Sequence, residues 1–280
     1  MGEILAGIGV SHAPSIASAR TAGQAHEPDW KPLFDAFDHV RRWLLDEQPD
    51  ALVVIYNDHA EEFFLDRCPT FAIGVADRFP VCGHDEPPPP VPGHPELGLH
   101  IATAAIAAGI DFTVCRDQGV DDGVVVPLPL IDDEWRFPIV PICVNVVWEP
   151  RPSPARCFAM GEAVGAAIRS FPDPMRVAVI ATGGLSHTLV GPGFGSVQPE
   201  WDRTFLRQMA DAPDELRDYT MAGLEQVAGH EGVEVVQWIA MRGALGEDCQ
   251  PSYTCYHPYR MTGYAVACYQ PANHHEVTKV

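Results

Sequence analysis

The sequence is poor in basic residues and has no long apolar run. Its 280 residues contain 18 Lys and Arg against 38 Asp and Glu, which gives a formal net charge of −20. Nucleic acids and anionic membranes are bound mainly through Lys and Arg, so this charge argues against both kinds of partner. No apolar run approaches the roughly 20 residues of a membrane-spanning helix. The first residues, MGEILAGIGVSH, also lack the features of a signal peptide. We therefore expect a cytoplasmic protein that binds a small molecule or another protein.

The sequence also lacks paired cysteines. Its eight cysteines are scattered without a CxxC pair, so neither a zinc knuckle nor a disulfide framework is predicted. Most of these thiols should be reduced and buried as small hydrophobic side chains. Hydrophobic residues make up 46% of the chain and charged residues 20%, a composition that indicates a globular protein and excludes a disordered one.

Four apolar, β-branched runs predict buried strands, and three amphipathic stretches predict helices between them. The strands are expected at residues 4–10, 51–56, 139–147 and 177–181. The helices are expected at residues 30–45, 96–108 and 156–170. This alternation is typical of an α/β protein with some parallel strand pairing.

The sequence shows no clear domain boundary. The proline-rich segment at residues 87–95 can be neither helix nor inner strand, and we expect it to cross the surface. We predict a single α/β domain over residues 1–270, with a central mixed β-sheet flanked by helices on both faces. Residues 271–280 are expected to form a loose tail.

Three of the predicted strands end in a short polar turn that carries a histidine. His12 follows GIGVS, His59 follows ALVVIYND, and His187 follows VAVIATGGLS. Ligands of open α/β sheets bind in the crevice beyond the carboxyl ends of the strands, so these histidines can converge on one site. A single strand-end histidine is more often a structural residue, but three with the same placement favour a functional site.

A carboxylate that can complete a metal site lies within residues 230–245. The apolar spacing of this segment predicts a helix with one polar side, where Glu231 and Glu234 share a face. The residues alone leave both glutamates open, and also a solvated helix start, where acidic residues are favoured. Two histidines with one carboxylate form the facial triad that is typical of oxygen-activating iron(II).

The motifs around these residues resemble those of a known family. The segments GIGVSHAPSI, PDALVVIYNDHAEEF, GGLSH and EGVEVVQWIAMRGAL are similar to class III extradiol dioxygenases of the protocatechuate 4,5-dioxygenase β-subunit type. The similarity extends from His12 to about Tyr264. It implies a non-haem Fe(2+) enzyme that inserts both atoms of O2 into an aromatic ring. It also implies that His12, His59 and Glu234 are the metal ligands and that His187 is the catalytic histidine.

The sequence departs from this family at one position. The family has a histidine near the substrate in a DHG element, whereas the corresponding stretch here, VDDGVVVPL, has Asp122 in its place. A carboxylate cannot be a cationic donor, and an unpaired one repels an anionic substrate. Three outcomes are open: Asp122 binds an additional ring hydroxyl or amino group, it replaces the histidine as a base, or ring cleavage is impaired. We favour an altered substrate preference.

Further residues are candidates for substrate binding. Asn57 can hydrogen-bond a substrate or an oxygen ligand from the same turn as His59, although asparagine is also a common turn former. The segment TCYHPYRMTGYAV resembles a pocket-lining region of the family. Its Arg260 can pair with a ring carboxylate or lie on the surface, and His257 and Thr262 are further candidates. Histidines that follow no strand are assigned to structure or surface: His84, His94, His100 and His230.

The resemblance implies a dihydroxy- or trihydroxybenzoate substrate such as protocatechuate or gallate. Three alternatives remain open: cleavage of an aminophenol-type substrate, a non-catalytic binding protein with the same fold, and a zinc hydrolase with the same ligand types. The resembled enzymes use a small helical α subunit, or an equivalent fused segment, to close the active site. We therefore expect either a heterotetramer with such an α subunit or a homodimer whose neighbour closes the pocket.

Overall fold

The computed structural model describes residues 1–271, and ten strands lie within this part of the chain. The strands are β1 (Gly2–Val10), β2 (Ala51–Tyr56), β3 (Phe71–Gly74), β4 (Arg78–Phe79), β5 (Val91–Pro92), β6 (Thr113–Cys115), β7 (Ile139–Val144), β8 (Met175–Thr182), β9 (Cys249–Tyr259) and β10 (Thr262–Pro271). All four predicted strands are present, although the predicted run at residues 139–147 ends three residues early.

Helices occupy most of the segments between these strands. The α-helices are α1 (Pro14–Thr21), α2 (Lys31–Glu47), α3 (Pro95–Ala107), α4 (Asp122–Val125), α5 (Leu128–Ile131), α6 (Pro154–Arg169), α7 (Pro199–Asp211), α8 (Met221–Ala228) and α9 (Val236–Leu245). Short 3-10 helices lie at Gln24–His26, Pro213–Asp218 and Glu231–Val235. The three predicted helices correspond to α2, α3 and α6. The segment 230–245 differs from its prediction, because it begins as a 3-10 helix before it becomes α9.

Eight of the strands form one mixed sheet in the order β6–β3–β7–β2–β8–β1–β10–β9. Its centre, β7–β2–β8–β1, is parallel. The pairs β3–β7, β1–β10 and β10–β9 are antiparallel, and β4 and β5 form a separate two-stranded sheet. The predicted mixed sheet is therefore confirmed.

Helices cover both faces of the large sheet. On β2, Val53 and Ile55 belong to one apolar core, which also contains residues of α3, α6 and α9. Leu52, Val54 and Tyr56 belong to a second core, together with residues of α1, α2 and α5. A strand that is buried on both faces needs apolar residues at every position, which explains the unbroken ALVVIY sequence of β2.

Glycines bring α6 and α9 into backbone contact on the first face. A Cβ atom at Gly161 would overlap the carbonyl oxygen of Ala240, and one at Gly165 would overlap that of Ala244. Any larger residue would push the two helices apart. This contact fixes α9, and the 3-10 helix that leads into it, relative to the sheet.

The proline-rich segment and the cysteines agree only in part with what the sequence predicts. Residues 87–90 are exposed, but Val91 is buried in β5 and Pro95 begins α3. All eight cysteines are unpaired; four are buried, three are half-buried and Cys68 is exposed, so fewer are buried than expected. The tail expected at residues 271–280 lies outside the described residues apart from residue 271, so the domain boundary stays a prediction. Within the described part of the chain, every helix is too short or too polar to cross a membrane.

Candidate metal centre and active site

The three strand-end histidines lie at one edge of the sheet. Strands β2, β8 and β1 are neighbours and run parallel, so their carboxyl ends meet; Val10, for example, pairs with Thr182. His59, His187 and His12 follow these three ends. The convergence expected from the sequence is therefore a direct result of the strand order.

The imidazole rings of His12 and His59 face the carboxylate of Glu234. Nε2 of His12 lies 3.2 Å from Oε2 of Glu234, and Nε2 of His59 lies 3.5 Å from Oε1. Ligand atoms of the three residues all lie within 4.8 Å of one another. Two imidazole nitrogens and one carboxylate at this spacing can hold one metal ion and leave coordination positions open.

The surroundings of the two histidines fit a metal. Nε2 of His12 is buried and lacks a hydrogen-bond partner among the described residues, because its contact with Glu234 does not have hydrogen-bond geometry. Its Nδ1 lies 3.0 Å from the hydroxyl of Thr182, and Nδ1 of His59 lies 2.7 Å from Oδ2 of Asp121. Metal-binding histidines typically donate from the second nitrogen to such partners, which directs the lone pair of Nε2 towards the ion.

The contacts of Glu234 and His59 shift their pKa values in opposite directions. Burial alone would raise the pKa of Glu234, but the imidazoles of His12, His59 and His187 lower it well below its usual range. Desolvation lowers the pKa of His59, but Asp121 and Glu234 outweigh this effect and raise the pKa to about 11. Glu234 is therefore ionised, and a metal ion must displace a proton from His59 when it binds.

The two candidate glutamates have different roles. Glu234 is buried, and its Oε2 accepts a hydrogen bond of 3.2 Å from the backbone N–H of Gly184. Glu231 instead accepts a hydrogen bond of 2.8 Å from the backbone N–H of Leu189. Glu231 thus holds the loop that follows His187, while Glu234 faces the histidines.

His187 is buried beside the metal centre. Its Nε2 lies 3.9 Å from Oε2 of Glu234, and its Nδ1 lies 2.9 Å from the carbonyl oxygen of Leu185. Because a carbonyl only accepts hydrogen bonds, Nδ1 carries a proton, and in the neutral ring Nε2 is free to accept one. Gly184 packs against this ring, since a Cβ atom there would lie 2.9 Å from Cε1 of His187.

Asn57 and Thr262 also border the site. The side-chain nitrogen of Asn57 lies 3.3 Å from Oε1 of Glu234 and 3.3 Å from Nε2 of His59. The amide of Gln237 is 2.7 Å away on its other side, so Asn57 orients the two candidate ligands. Thr262 is buried and forms an isolated backbone bridge with His187.

Asp122 begins α4, one residue after Asp121, and pairs with a histidine from another loop. Its Oδ1 lies 3.0 Å from Nε2 of His84, and these side chains are 36% and 37% exposed, respectively. Val81 and Val120 form a parallel bridge that brings the two loops together. At the position where the resembled family has a histidine, this chain therefore has a carboxylate that is paired with one.

The polar residues of the β9–β10 hairpin make contacts elsewhere. Arg260 is exposed in the turn, and its guanidinium lies 5.2 Å from the centre of the Tyr259 ring. Nε2 of His257 lies 2.6 Å from the backbone carbonyl oxygen of Asp29. The structure does not bring Arg260 or His257 together with the three candidate ligands within residues 1–271.

The residues that support the two candidate histidine ligands, Asp121 and Thr182, were not predicted from the sequence, nor was the contact of His84 with Asp122. Asp121 has one local signal, because it precedes Gly123 with the spacing of a helix N-cap and accepts its backbone N–H at 3.0 Å. Its bond to His59 spans 62 residues. Such a pairing has no signature in a single sequence.

Most of the chain is similar in sequence to known proteins. Residues 6–268 match the family described as the catalytic LigB subunit of aromatic ring-opening dioxygenase. Gallate dioxygenase from Pseudomonas putida is 37% identical over 180 residues, or 63% of this chain. That alignment covers 53% of gallate dioxygenase, about half of its length.

Two other proteins are similar over most of the chain. The 2,3-dihydroxyphenylpropionate/2,3-dihydroxicinnamic acid 1,2-dioxygenase of Rhodococcus globerulus is 28% identical over 285 residues, which covers 82% of this chain and 88% of that enzyme. The crystal structure of the uncharacterized protein JW3007 from Escherichia coli K12 superposes on this chain with a TM-score of 0.62 and 16% sequence identity. The superposition covers 94% of this chain and 99% of that protein. The latter likeness shows the shared fold alone.

The family match covers nearly the whole chain, including the strand ends and Glu234. It confirms the resemblance seen in the sequence and the expected enzyme class. The chain belongs to the LigB family, the catalytic subunits of aromatic ring-opening dioxygenases.

Proposed function

We propose that this protein is an Fe(2+)-dependent extradiol dioxygenase that opens the ring of a dihydroxy- or trihydroxybenzoate. The observation that carries the proposal is the convergence of His12, His59 and Glu234, with ligand atoms within 4.8 Å of one another. Ferrous iron bound there would supply adjacent positions for the ring diol and O2, together with the electrons that O2 activation requires. The buried Nε2 of His12, which has no hydrogen-bond partner among the described residues, supports this assignment.

In this proposal His187 is the acid–base residue. A ring diol must lose at least one proton when it binds as a chelating ligand, and a group close to it must accept that proton. The Nε2 of His187 is 3.9 Å from Glu234. Because the carbonyl of Leu185 holds Nδ1, the ring can present Nε2 to a bound diol, accept the proton and later return it.

Asn57 has a related role in this proposal. It lies between Glu234 and His59, so it restricts the rotation of both candidate ligands. Its side-chain nitrogen, 3.3 Å from each of them, can also donate a hydrogen bond to a bound oxygen. We therefore assign Asn57 to ligand orientation and to hydrogen bonding of the substrate.

Two residues of the β9–β10 hairpin have separate proposed roles. Thr262 supports the backbone of His187. Arg260 is a proposed contact for a substrate carboxylate.

Asp122 and His84 are proposed to set the substrate preference. An isolated carboxylate would repel an anionic substrate, but Oδ1 of Asp122 lies 3.0 Å from Nε2 of His84, which can donate a hydrogen bond to it. The free lone pairs of Asp122 can accept a hydrogen bond from a third ring hydroxyl, as in gallate, or from an amino group. The name of the relative that is 37% identical, gallate dioxygenase, favours the hydroxyl.

A second polypeptide is proposed to close the open side of the site, either a small helical α subunit or a neighbouring copy. The loop after His187 exposes the apolar side chains of Val190 and Phe194, and Gly195 of this loop lies against exposed Met261. Exposed apolar patches commonly mark protein contacts. Light scattering after gel filtration distinguishes a dimer from a monomer, and a fully active monomer would contradict the proposal.

The unpaired cysteines support a cytoplasmic location for this enzyme, since disulfides are rare in that compartment. Fractionation of cells that express the full chain tests this directly. Recovery from a periplasmic or membrane fraction would contradict it.

Oxygen uptake tests the proposed reaction. Protein purified without oxygen is reconstituted with Fe(2+) and supplied with gallate, protocatechuate, 3-O-methylgallate, catechol or 2-aminophenol. We expect one O2 to be consumed for each ring opened, with gallate as the preferred substrate; the zinc-loaded protein is the control. Iron-loaded protein that consumes no oxygen with any of these compounds would overturn the proposal, and hydrolysis by the zinc form would favour the hydrolase alternative.

A further inference from the structure

Asp202 is a buried carboxylate to which the proposed reaction assigns no role. It lies in the first turn of α7, and its residue exposure is 0%. A carboxylate in the protein interior is unfavourable unless hydrogen bonds or opposite charges compensate for its lost hydration. The partners of Asp202 therefore indicate what it does.

Two of the three hydrogen bonds to Asp202 come from Ser186. Oδ1 of Asp202 accepts the backbone N–H of Ser186 at 2.9 Å, and Oδ2 accepts its hydroxyl at 2.7 Å. Oδ2 also accepts the hydroxyl of Tyr256 at 2.6 Å. The Ser186 hydroxyl in turn accepts the backbone N–H of Gln198 at 2.7 Å. Ser186 is thus held through both its backbone and its side chain.

Ser186 immediately precedes His187, whose own backbone is fixed. The N–H of His187 donates to the carbonyl of Ala228 at 2.9 Å, and the N–H of Gly232 donates to the carbonyl of His187 at 3.3 Å. The His187 ring is tied to the carbonyl of Leu185. The position of the ring therefore depends on the path of residues 185–187, and Asp202 fixes the middle of that path.

The surroundings leave space for this carboxylate and stabilise it. A Cβ atom at Gly263 would overlap Oδ2 of Asp202, so the glycine makes room for it. Burial raises the pKa of Asp202, and the hydrogen bonds from Tyr256 and Ser186 partly oppose the rise. The amino-terminal turn of α7 also favours a negative charge at this place.

We infer that Asp202 is a positioning residue that holds His187, through Ser186, in the orientation that proton transfer requires. This inference rests on the proposed function, because it assigns Asp202 to the same reaction. Asp202 does not touch the candidate metal ligands in any contact of the described residues. It should therefore affect proton transfer without affecting metal binding.

The variant Asp202→Asn tests the inference. We expect kcat to fall about 10- to 100-fold, the range typical of losing an outer-sphere partner or of a small misplacement. Iron content and KM should stay unchanged. Phe205→Leu is the matched control, because Phe205 is buried on the same helix but packs in the apolar core; it should lower thermal stability and leave kcat unchanged. Equal kcat values for Asp202→Asn and wild type would overturn the inference.

A double-variant comparison separates positioning from a general structural effect. In a His187→Gln background, Asp202→Asn should cause no further loss of the residual rate, because its effect passes through His187. An equal fold-loss in both backgrounds would overturn the inference. Ser186→Ala should behave like Asp202→Asn, and the two changes together should be less than additive.

A readout without turnover keeps this inference distinct from the proposed function. In the zinc-loaded protein, the NMR signal of the His187 Nδ1–H should shift in Asp202→Asn and stay in place in Phe205→Leu. An unshifted signal in Asp202→Asn would overturn the positioning role. Wild-type protein that opens no ring would overturn the proposed function, whereas the NMR comparison would still decide whether Asp202 orients His187.

Discussion

One carboxylate oxygen of Asp121 holds both the backbone and the ring of His59. Oδ2 of Asp121 accepts the backbone N–H of His59 at 2.7 Å and lies 2.7 Å from its Nδ1. Asp121 is almost completely buried, whereas the side chain of His59 is 36% exposed. This contact sets the tautomer and direction of the more exposed of the two candidate histidine ligands.

Asp121→Asn should lower the affinity for Fe(2+) or Co(2+) about 10- to 100-fold, because loss of the carboxylate frees the ring of His59. Calorimetric titration of the metal-free protein measures the effect. Asp122→Asn is the control, since it removes the same charge one residue away but leaves the contact with His59 intact. Equal losses in the two variants would indicate a general charge effect instead.

Metal affinity should rise with pH. The pKa of His59 in the metal-free protein is raised to about 11, so at neutral pH an arriving ion displaces a proton. Displacement of one proton strengthens the apparent affinity by up to about tenfold per pH unit. Titrations in buffers with different ionisation enthalpies count the released proton, and an affinity that does not change with pH would contradict this prediction.

The same shift predicts how the stability of the metal-free protein depends on pH. His59 has a folded pKa above its reference value of 6.5, so its contribution to stability is complete below about pH 6.5. That contribution is lost as the pH rises towards about 11. Chemical denaturation at several pH values measures the change. His59→Gln, which cannot titrate, should show a smaller loss over this range; an equal loss would assign the effect to other groups.

Glu234→Gln and Glu231→Gln should differ sharply in metal binding. Glu234→Gln removes a proposed ligand, so its affinity should fall by more than the roughly 10- to 100-fold expected for an outer partner. Glu231→Gln changes only the acceptor of the Leu189 N–H and should retain iron. Metal analysis after reconstitution compares them. Loss of iron from Glu231→Gln alone would reverse the assignment.

Asp122→His should shift the preference from gallate towards protocatechuate. The change removes the proposed acceptor for the third hydroxyl, and a hydrogen bond to a charged group is worth about 1.5–3 kcal/mol, or roughly 10- to 100-fold in kcat/KM. His84→Ala should weaken turnover of both substrates, because it leaves Asp122 unpaired. Unchanged kinetics in Asp122→His would remove Asp122 from the mechanism.

Gly161→Ala should destabilise the fold. The new methyl group would overlap the backbone of Ala240, and forced overpacking typically costs about 1–3 kcal/mol. The midpoint of denaturant unfolding measures this loss. Ala166→Ser, at an exposed position of the same helix, is the control and should change stability much less. An unchanged unfolding midpoint in Gly161→Ala would show that α6 and α9 can move apart without loss of stability.

Part of the fold and of the site follows from local patterns. The unbroken apolar run of β2 predicts a strand that is covered on both faces, because such residues must avoid water on either side. His12, His59 and His187 lie in the turns that follow β1, β2 and β8, and the sequence alone shows this. A parallel arrangement then brings them to one edge, as the structure shows.

Other features depend on contacts between residues far apart in the chain. The partners of His12 and His59 are Thr182 and Asp121, at separations of 170 and 62 residues. No local pattern encodes such pairs, because they arise only when strands and loops are placed side by side. No pattern in the sequence indicates that His84 contacts Asp122. From the sequence alone, His84 was assigned to structure or surface.

By itself, the sequence determined four central strands of the sheet, the histidines that follow three of them, and the family. Tertiary structure alone decided which way the side chains point. Glu234 faces the histidines and accepts the backbone N–H of Gly184, while Glu231 accepts that of Leu189 in the loop beyond His187. These two glutamates are equivalent in local sequence. They differ because each side chain is fixed by the partners that the folded chain places within hydrogen-bonding distance.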